Sequence, residues 1–432
     1  MLRDDQPIFN LRAVVQETGV KPDTLRAWER RYGVPLPQRT EGGHRLYSRK
    51  DIRTIQWLLA QRDAGLSISQ AVELWTELEA TSDPPTLESA YVQEAGRRPD
   101  EHVDTVSRLR QRWISAALGL DEERARQTLS EAFALFPLEF VCSNILMAGL
   151  GEIGRDWYEA KATVQQEHFA TELVIRQLET LNATAPSATR TERILAACPP
   201  HEDHVAALLF LTLLLRRRGW QVVYLGANVP VADITDTIRD GDFSLVISSA
   251  QQLYSAATLM GMASALADID VPVAYGGRIF NLMPGLRERI PGTFLGERIE
   301  DAVHVVEKIM IARPSPVPVE QPPESFKRAL DHYRQRITAI EGTVEDELAD
   351  NGITGAQLRQ ANRSLHDDIS AALLLGSMQY LNNEVEWING LLRNHNVPVE
   401  YLDRYFHAYQ EALKIHLDDR GAPISEWMEQ TV

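Results

Sequence analysis

Cysteine is scarce in this sequence, whose 432 residues include only Cys142 and Cys198. Two cysteines cannot build the disulfide framework of a small secreted protein. Long apolar runs are also missing, because even residues 205–215 are followed by three arginines, well short of the roughly 20 residues that cross a membrane. The amino terminus has no apolar core of a signal peptide. We therefore expect a protein of a reducing cytoplasm that makes no membrane contact.

Positive charge is scarce as well. The 44 Lys and Arg residues stand against 61 Asp and Glu residues, which gives a net charge of -17. This balance excludes a protein that coats nucleic acid without selectivity. Residues 21–53 are the exception, because nine basic and four acidic side chains give this stretch a balance of 9 - 4 = +5. The sequence thus predicts one basic segment on an acidic protein.

Proline-containing breaks divide the chain, within residues 81–99 and again within 314–323. A chain of this length also exceeds what one hydrophobic core organises. We predict an α/β multidomain protein with four folded parts and two linkers. These are a winged helix-turn-helix domain over 1–78, a linker over 79–102, a four-helix bundle over 103–185, a flavodoxin-like parallel-sheet domain over 190–312, a Pro-rich linker over 313–324 and an all-α domain over 325–432.

The amino-terminal pattern is typical of two helices joined by a tight turn and followed by a hairpin. A helix is predicted over residues 9–18, Gly19 ends it, and a second helix opens just after Pro22. Gly42 and Gly43 permit a tight hairpin with basic residues on both sides. This order predicts a winged helix-turn-helix.

Residues 10–55 closely resemble the DNA-binding domain of MerR-family transcription regulators, with contiguous matches at 25–33 (LRAWERRYG) and 43–47 (GHRLY). The resemblance implies a recognition helix in the major groove of double-stranded operator DNA and a wing on its phosphates. The alternative is that Trp28 and Tyr32 are core aromatics and that the arginines form a solvated surface. The candidate DNA-contacting residues are Lys21, Arg26, Trp28, Arg30, Arg31, Arg39, His44, Arg45 and Tyr47.

Residues 103–181 have helical apolar spacing throughout, and about four helices fit. The last helix begins near Thr163 and carries Glu167 and His168, while Trp157 precedes it. An indole, a carboxylate and an imidazole at these positions can converge on one polar ligand. The alternative is that Trp157 closes the bundle core and that His168 is an ordinary surface or core histidine.

Five short apolar runs alternate with helical patterns between residues 190 and 312, which predicts a parallel, doubly wound sheet. The runs are residues 194–198, 222–225, 245–248, 271–274 and 293–295. Open sheets of this kind bind ligands at the carboxyl ends of their strands. The residues that follow the first, third and fourth runs are polar or small, and they are Glu202, Asp203, His204, Ser249, Gly276 and Gly277.

Two alternatives stay open for the loop after the first run. Cys198, His201 and His204 are evenly spaced and could ligate zinc, although no clear fourth ligand follows. His204 could also cap a helix on a ligand-free flavodoxin-like sheet.

This edge of the sheet resembles the signature of cobalamin-binding domains in Glu202, His204, Ala207, Ser249, Gly276 and Gly277. In that family the histidine ligates cobalt in place of the cofactor's own base, and the displaced nucleotide tail fills a slot beside the sheet. The resemblance implies that His204 is the cobalt ligand and that Glu202 accepts its other ring N–H. Glu202 stands where Asp is commoner, Ala207 where Gly is expected, and Gln251 where Leu is usual.

The order of the parts is similar to that of the CarH/LitR family of light-responsive repressors over residues 1–312, including a Trp followed ten residues later by Glu-His, here Trp157, Glu167 and His168. This resemblance implies adenosylcobalamin as the cofactor, with its adenosyl group held under the bundle by those three side chains. It further implies that light breaks the cobalt–carbon bond and that a DNA-bound tetramer comes apart. In the best-known members a histidine follows the Trp and becomes the second cobalt ligand after light, whereas here the residue is Tyr158.

Residues 325–432 lie beyond the usual end of those repressors and have helical spacing. We expect most of their histidines and aromatic side chains to serve oligomerisation or docking onto the cobalamin domain. In layout alone the chain also resembles photocobilins, which hold a bilin beside the corrin. That resemblance implies a second chromophore such as biliverdin, bound noncovalently because this segment contains no cysteine.

The predicted function is a light-responsive transcription regulator, not an enzyme, that binds operator DNA as a homo-oligomer, either a dimer or a tetramer. One alternative is a MerR-like regulator that senses cobalamin or another ligand without photochemistry. Another is a corrinoid carrier protein, which would share His204 but has no need of a winged helix-turn-helix.

Overall fold

The computed structural model describes most of the chain, namely residues 7, 9–18, 20, 22–39, 45–63, 68, 71, 72, 75, 99–314, 319–349, 355–395 and 397–431. Two compact units are formed, residues 1–108 and residues 109–432. Much of the predicted first linker and residues 315–318 of the second lie outside the described residues.

The first unit contains a helix-turn-helix and a three-stranded antiparallel sheet with the spatial order β1-β3-β2. Its elements are β1 (Phe9–Asn10), α1 (Leu11–Thr18), α2 (Pro22–Tyr32), β2 (Gln38–Arg39), β3 (Arg45–Tyr47) and α3 (Arg49–Asp63). The first helix begins at Leu11 rather than at residue 9, because Phe9 and Asn10 pair with β3 instead. The side-chain oxygen of Asn10 then accepts the backbone N–H of Ala13 at 2.9 Å, which caps the helix.

One apolar core holds the first unit together. Val14, Leu25, Tyr47 and Ile55 come from four different elements, and each is at most 1% exposed. Because this side of α2 is buried, its opposite side is left on the surface.

Residues 99–183, all of them described, fold into four helical segments. These are α4 (Pro99–Leu118), α5 (Glu122–Leu135), a continuous stretch made of α6 (Leu138–Val141), a π-type turn (Cys142–Met147) and α7 (Ala148–Tyr158), and finally α8 (Val164–Ala183). Thr163 starts α8 through a capping box with Gln166, since each side chain bonds the backbone N–H of the other residue. Gly149 lets α7 approach α4 closely, because a Cβ there would lie 2.9 Å from the ring of Trp113.

Residues 190–312 form the predicted parallel sheet of five strands, in the spatial order β5-β4-β6-β7-β8. The strands are β4 (Arg193–Ala197), β5 (Gln221–Gly226), β6 (Phe243–Ser249), β7 (Val273–Gly276) and β8 (Thr293–Phe294), and the helices are α9 (Ala206–Arg217), α10 (Ile234–Asp240), α11 (Leu253–Ala267), α12 (Arg278–Leu282) and α13 (Ile299–Ala312). After β4 the chain adds β5 on one side of it and then crosses over to add β6, β7 and β8 on the other side. The carboxyl ends of β4 and β6 are therefore the topological switch point, where open parallel sheets bind ligands.

The carboxyl-terminal residues are helical, as predicted. The helices are α14 (Glu324–Leu348), α15 (Gly355–Leu375), α16 (Tyr380–Asn394), α17 (Glu400–His416) and α18 (Ala422–Thr431). Helix α15 ends at Leu375 because Gly376 adopts a left-handed conformation with φ of 82°.

These helices dock onto the sheet domain rather than standing apart from it. Buried side chains of α11, such as Leu259 and Met262, belong to the same apolar cluster as Ile369 and Ala372 of α15. Among the described residues, no helix is both long enough and apolar enough to span a membrane.

Candidate functional site

The loop that joins β4 to α9 lies at the switch point of the sheet, and it is held in shape by Asn228. The side chain of Asn228 accepts the backbone N–H of His201 and donates to the carboxylate of Asp203. His201 itself has a φ of 64°, a left-handed conformation that turns the chain sharply. This turn directs Glu202 inward while Asp203 and His204 stay on the surface.

Glu202 is fully buried and its carboxylate accepts four hydrogen bonds. Oε1 accepts the backbone N–H of His204 at 2.8 Å and lies 2.7 Å from His204 Nδ1, while Oε2 accepts the N–H of Gln251 at 2.6 Å and the hydroxyl of Ser255 at 2.7 Å. Burial alone would raise the pKa of this carboxyl, but the hydrogen bonds outweigh burial and hold the pKa below its usual value. Glu202 is therefore a buried anion.

His204 is oriented by that anion. Its side chain is 58% exposed, and Nδ1 is occupied by Glu202. The hydrogen bond to Glu202 raises the pKa of His204, burial opposes it, and the charges of Glu202, Glu167 and Asp203 add to the rise. A ring held through Nδ1 offers Nε2 to a metal, which is the usual arrangement of a histidine ligand backed by a carboxylate.

The neighbouring strand ends are built from small residues. Ser249 of β6 stands opposite Gly276 of β7, and its hydroxyl lies 3.7 Å from the thiol of Cys198. Gly277 has a φ of 121°, and a Cβ there would lie 1.9 Å from the carbonyl oxygen of Ala250, so a side chain cannot be accommodated. Glycine at this position lets the two chain segments contact each other, and it places no side chain at this edge of the sheet.

The three predicted bundle residues differ in their surroundings. Glu167 on α8 is half-buried, accepts the hydroxyl of Thr171 at 2.8 Å, and acts electrostatically on His204. His168 points to solvent with 75% of its side chain exposed, 4.0 Å from Glu167. Glu167 is thus on the same side of the molecule as His204, and His168 is beside it.

Trp157 lies at the end of α7 and packs against the carboxyl-terminal helices. Its ring centroid is 6.2 Å from that of Trp387 and 6.3 Å from that of His395. A cavity of about 400 Å³ adjoins it, lined by Trp157, residues 160–164 and His395. The bundle and the carboxyl-terminal helices therefore share this indole.

Several residues of the site were not singled out from the sequence. Ser255 and the N–H of Gln251 reach Glu202 only because α11 starts at the end of β6, and Gln251 was noted merely as a departure from Leu. Trp387 and His395 lie about 230 residues from Trp157 in the chain, and no local pattern connects them.

The zinc alternative is not supported. Cys198 is buried beside Ser249, and the ring of His201 packs edge-on against Tyr254 with 4.9 Å between centroids. Within the described residues, no group of three or more Cys, His, Asp or Glu side chains could hold a metal ion.

The first unit presents basic side chains on the outer side of α2. Arg26, Arg30 and Arg31 are exposed there. Trp28 and Tyr47 are only 6% and 1% exposed, so they are core aromatics and present no surface to DNA.

Arg45 of β3 has an internal partner. Its guanidinium binds both carboxylate oxygens of Glu29 on α2, at 2.6 and 3.2 Å, and so ties the strand to the helix. Lys21 and His44 lie outside the described residues, as does the side chain of Arg39.

Comparison with known proteins gives three family matches along the chain. A MerR helix-turn-helix family regulatory protein model matches residues 9–78, and two B12 binding domain models match residues 109–182 and 192–304. The matched ranges cover the first unit, the bundle and the sheet domain.

Three curated relatives are similar to parts of this chain. The HTH-type transcriptional repressor CarH of Myxococcus xanthus is 31% identical over 230 residues, which is 52% of this chain and 73% of CarH. The repressor CarA of the same organism is 31% identical over 226 residues, 52% of this chain and 70% of CarA. The HTH-type transcriptional regulator MlrA of Escherichia coli (strain K12) is 41% identical over 63 residues, 15% of this chain and 26% of MlrA.

These matches confirm the resemblance that was inferred from the sequence motifs, and they make this protein a cobalamin-binding, DNA-binding regulator. The chain belongs to the family of MerR-type transcriptional repressors with B12-binding domains that includes CarH and CarA.

Proposed function

We propose that this protein is a light-responsive transcription regulator, rather than an enzyme, that uses adenosylcobalamin as its chromophore. The observation that carries the proposal is the pairing of His204 with a buried carboxylate at the switch point of the sheet, with Glu167 of the bundle acting on the same histidine. That arrangement would provide a ligand on one side and a polar group on the other side of one flat cofactor.

His204 would ligate the cobalt of cobalamin through Nε2. Glu202 fixes the tautomer and makes the imidazole a stronger donor, because its negative charge stabilises the positive end of the metal–ligand bond. The slot beside Ser249, Gly276 and Gly277 would take the displaced nucleotide tail. Asp203, fixed by Asn228, would stand at the rim of the corrin.

Trp157, Glu167 and His168 would contact the upper face of the cofactor. When bound, adenosylcobalamin supplies a cobalt–carbon bond that visible light breaks. Trp157 would stack on the adenosyl group, and Glu167 and His168 would hold it through polar contacts. The Glu167 carboxylate already accepts the Thr171 hydroxyl through Oε1, so Oε2 is the oxygen suited to an adenosyl hydroxyl.

Tyr158 is unsuited to replace the histidine that some relatives use as a second cobalt ligand. A phenol is a poorer ligand for cobalt than an imidazole. Its ring also stacks on Trp387 with 5.7 Å between centroids, and its hydroxyl lies 3.4 Å from the carbonyl oxygen of Trp387. Light would therefore not yield a bis-ligated state through this residue.

The element that moves would be the contact between the bundle and the sheet domain. Two of its polar contacts are exposed ion or hydrogen-bond pairs, Arg217 with Glu139 at 3.0 Å and Ser143 with Glu300. Exposed pairs of this kind contribute little free energy, roughly 0–1 kcal/mol, so they can exchange without unfolding either part. Loss of the adenosyl group would bias this contact and change the oligomeric state and the affinity for operator DNA.

The proposal is tested by operator binding in darkness and after green light. Protein loaded with adenosylcobalamin should change its affinity by about tenfold or more, a typical coupling between two sites. Protein loaded with methylcobalamin should respond to light much less, because it has no adenosyl group for Trp157 to hold. If the adenosylcobalamin form bound operator DNA equally in darkness and after light, the light response would be contradicted, and the protein would be a regulator that senses cobalamin without photochemistry.

Arg30 tests the DNA surface. Arg30→Ala removes an exposed cation from α2, and it should weaken operator binding and lower the slope of log affinity against log salt by about one. Arg124→Ala, which removes an exposed cation from α5, is the matched control and should leave both quantities unchanged. If Arg30→Ala and wild type showed the same dependence of affinity on salt, the arginines of α2 would form a solvated surface that does not contact DNA.

A noncovalent bilin such as biliverdin remains a second proposal for the carboxyl-terminal helices. Its support is a polar stripe on α15, where Asn362, His366 and Ser370 each have a buried side-chain atom without a hydrogen-bond partner among the described residues. Both cysteines are buried, and burial raises the pKa of each thiol to about 12, which opposes covalent attachment. Added biliverdin should acquire a shifted red absorbance that Asn362→Leu abolishes, and an unshifted spectrum with wild type would remove the idea.

A further inference from the structure

Helix α16 of the carboxyl-terminal helices is docked directly on the end of α7, where Trp157 and Tyr158 lie. The contact consists of Trp387, Gly390 and Asn394 on α16 and of His395 just after it. We call this set the α16 contact. It involves a segment that has no counterpart in the matched family regions, which end at residue 304.

Tyr158 is the anchor of the α16 contact. Its ring stacks on Trp387 at an interplanar angle of 29°, and its carbonyl oxygen accepts the side-chain N–H of Asn394 at 3.0 Å. Gly390 makes room for the phenol, because a Cβ at that position would lie 1.9 Å from the Tyr158 hydroxyl. Tyr158 thus attaches α16 to the end of α7.

Trp157 is held from the same side. His395 Nε2 lies 3.0 Å from the carbonyl oxygen of Trp157, and since a carbonyl only accepts, this nitrogen donates. The indole of Trp157 also packs against the rings of Trp387 and His395. Both its backbone and its ring thus depend on α16.

The other end of the same helix approaches the edge of the sheet. Burial raises the pKa of Glu384, near the start of α16, and the charge of Arg278 opposes that rise. Arg278 directly follows Gly277, and its backbone N–H donates to the side chain of Gln251 at 3.0 Å. One helix therefore contacts the bundle side of the site and lies within electrostatic reach of the sheet side.

We propose that Trp387, Asn394 and His395 are positioning residues that fix Trp157 for the adenosyl group, so that the carboxyl-terminal helices set the selectivity for the upper ligand of cobalamin. The inference rests on the proposed function, in which Trp157 contacts that ligand. A half-buried indole without these neighbours would have to be ordered when the cofactor binds, and this ordering weakens affinity. Docked against α16, it is ordered in advance.

The test compares the affinities of two cobalamins in the dark. Hydroxocobalamin presents the same corrin and the same lower ligand as adenosylcobalamin but has no adenosyl group. Gly390→Ala places a methyl group against the Tyr158 hydroxyl, which must shift and separate Tyr158 from Trp387. We expect the affinity for adenosylcobalamin to fall about five- to tenfold and that for hydroxocobalamin to stay within about twofold.

Gly342→Ala is the matched control. Gly342 lies exposed on α14, and a Cβ there would meet nothing within 4 Å, so both variants gain the same helix propensity and only one disturbs the contact. A second variant, His395→Ala, should also lower the ratio of the affinity for adenosylcobalamin to the affinity for hydroxocobalamin.

The outcomes separate the two claims. Equal losses for both cobalamins in Gly390→Ala would assign the α16 contact a purely structural role, and unchanged affinities would show that α16 does not position Trp157. Either result overturns the inference while the proposed function stands. A wild-type protein that shows no preference for adenosylcobalamin over hydroxocobalamin would remove the contact of Trp157 with the adenosyl group, and the inference with it, whereas equal operator binding in darkness and light would overturn the proposed function.

Discussion

The arrangement of the site depends on one buried carboxylate. Removing a charged group from water is costly unless its partners replace the lost hydration, and Glu202 has four donors to do so. Those donors come from the loop after β4, from the loop after β6 and from the first turn of α11, so the same anion joins the end of β4 to the start of α11 and orients His204. A glutamate serves here where related domains commonly have an aspartate, and its longer side chain reaches Ser255 as well as the loop.

Much of the fold could be predicted from the sequence because its signals are local. Buried parallel strands are continuous apolar runs, and Pro22 and Thr163 mark helix starts through backbone chemistry that acts within one turn. The Glu202–His204 pair was predictable for the same reason, since only Asp203 separates its members in the chain. The burial of Trp28 and Tyr47 was harder to predict, because side chains of a recognition helix and a wing can face either the protein core or a groove of the DNA.

The rest of the site depends on contacts between distant segments. Ser255 reaches Glu202 across a strand and a loop, and Trp387 meets Trp157 across most of the chain. The departure at Tyr158 was visible in the sequence, but its partner was not. In the structure that phenol packs on Trp387 of α16, which lies 229 residues away in the chain.

The central claim is that His204 ligates cobalt from below, and electron paramagnetic resonance of the protein loaded with cob(II)alamin tests it most directly. In protein labelled with 15N-histidine, coordination by His204 predicts that the nitrogen splitting changes from a triplet to a doublet, and that His204→Ala abolishes the doublet. His304→Ala, which removes an exposed histidine of the same domain, should keep the doublet. A triplet in the labelled protein, unchanged in His204→Ala, would mean that the cofactor keeps its own base and would contradict the account.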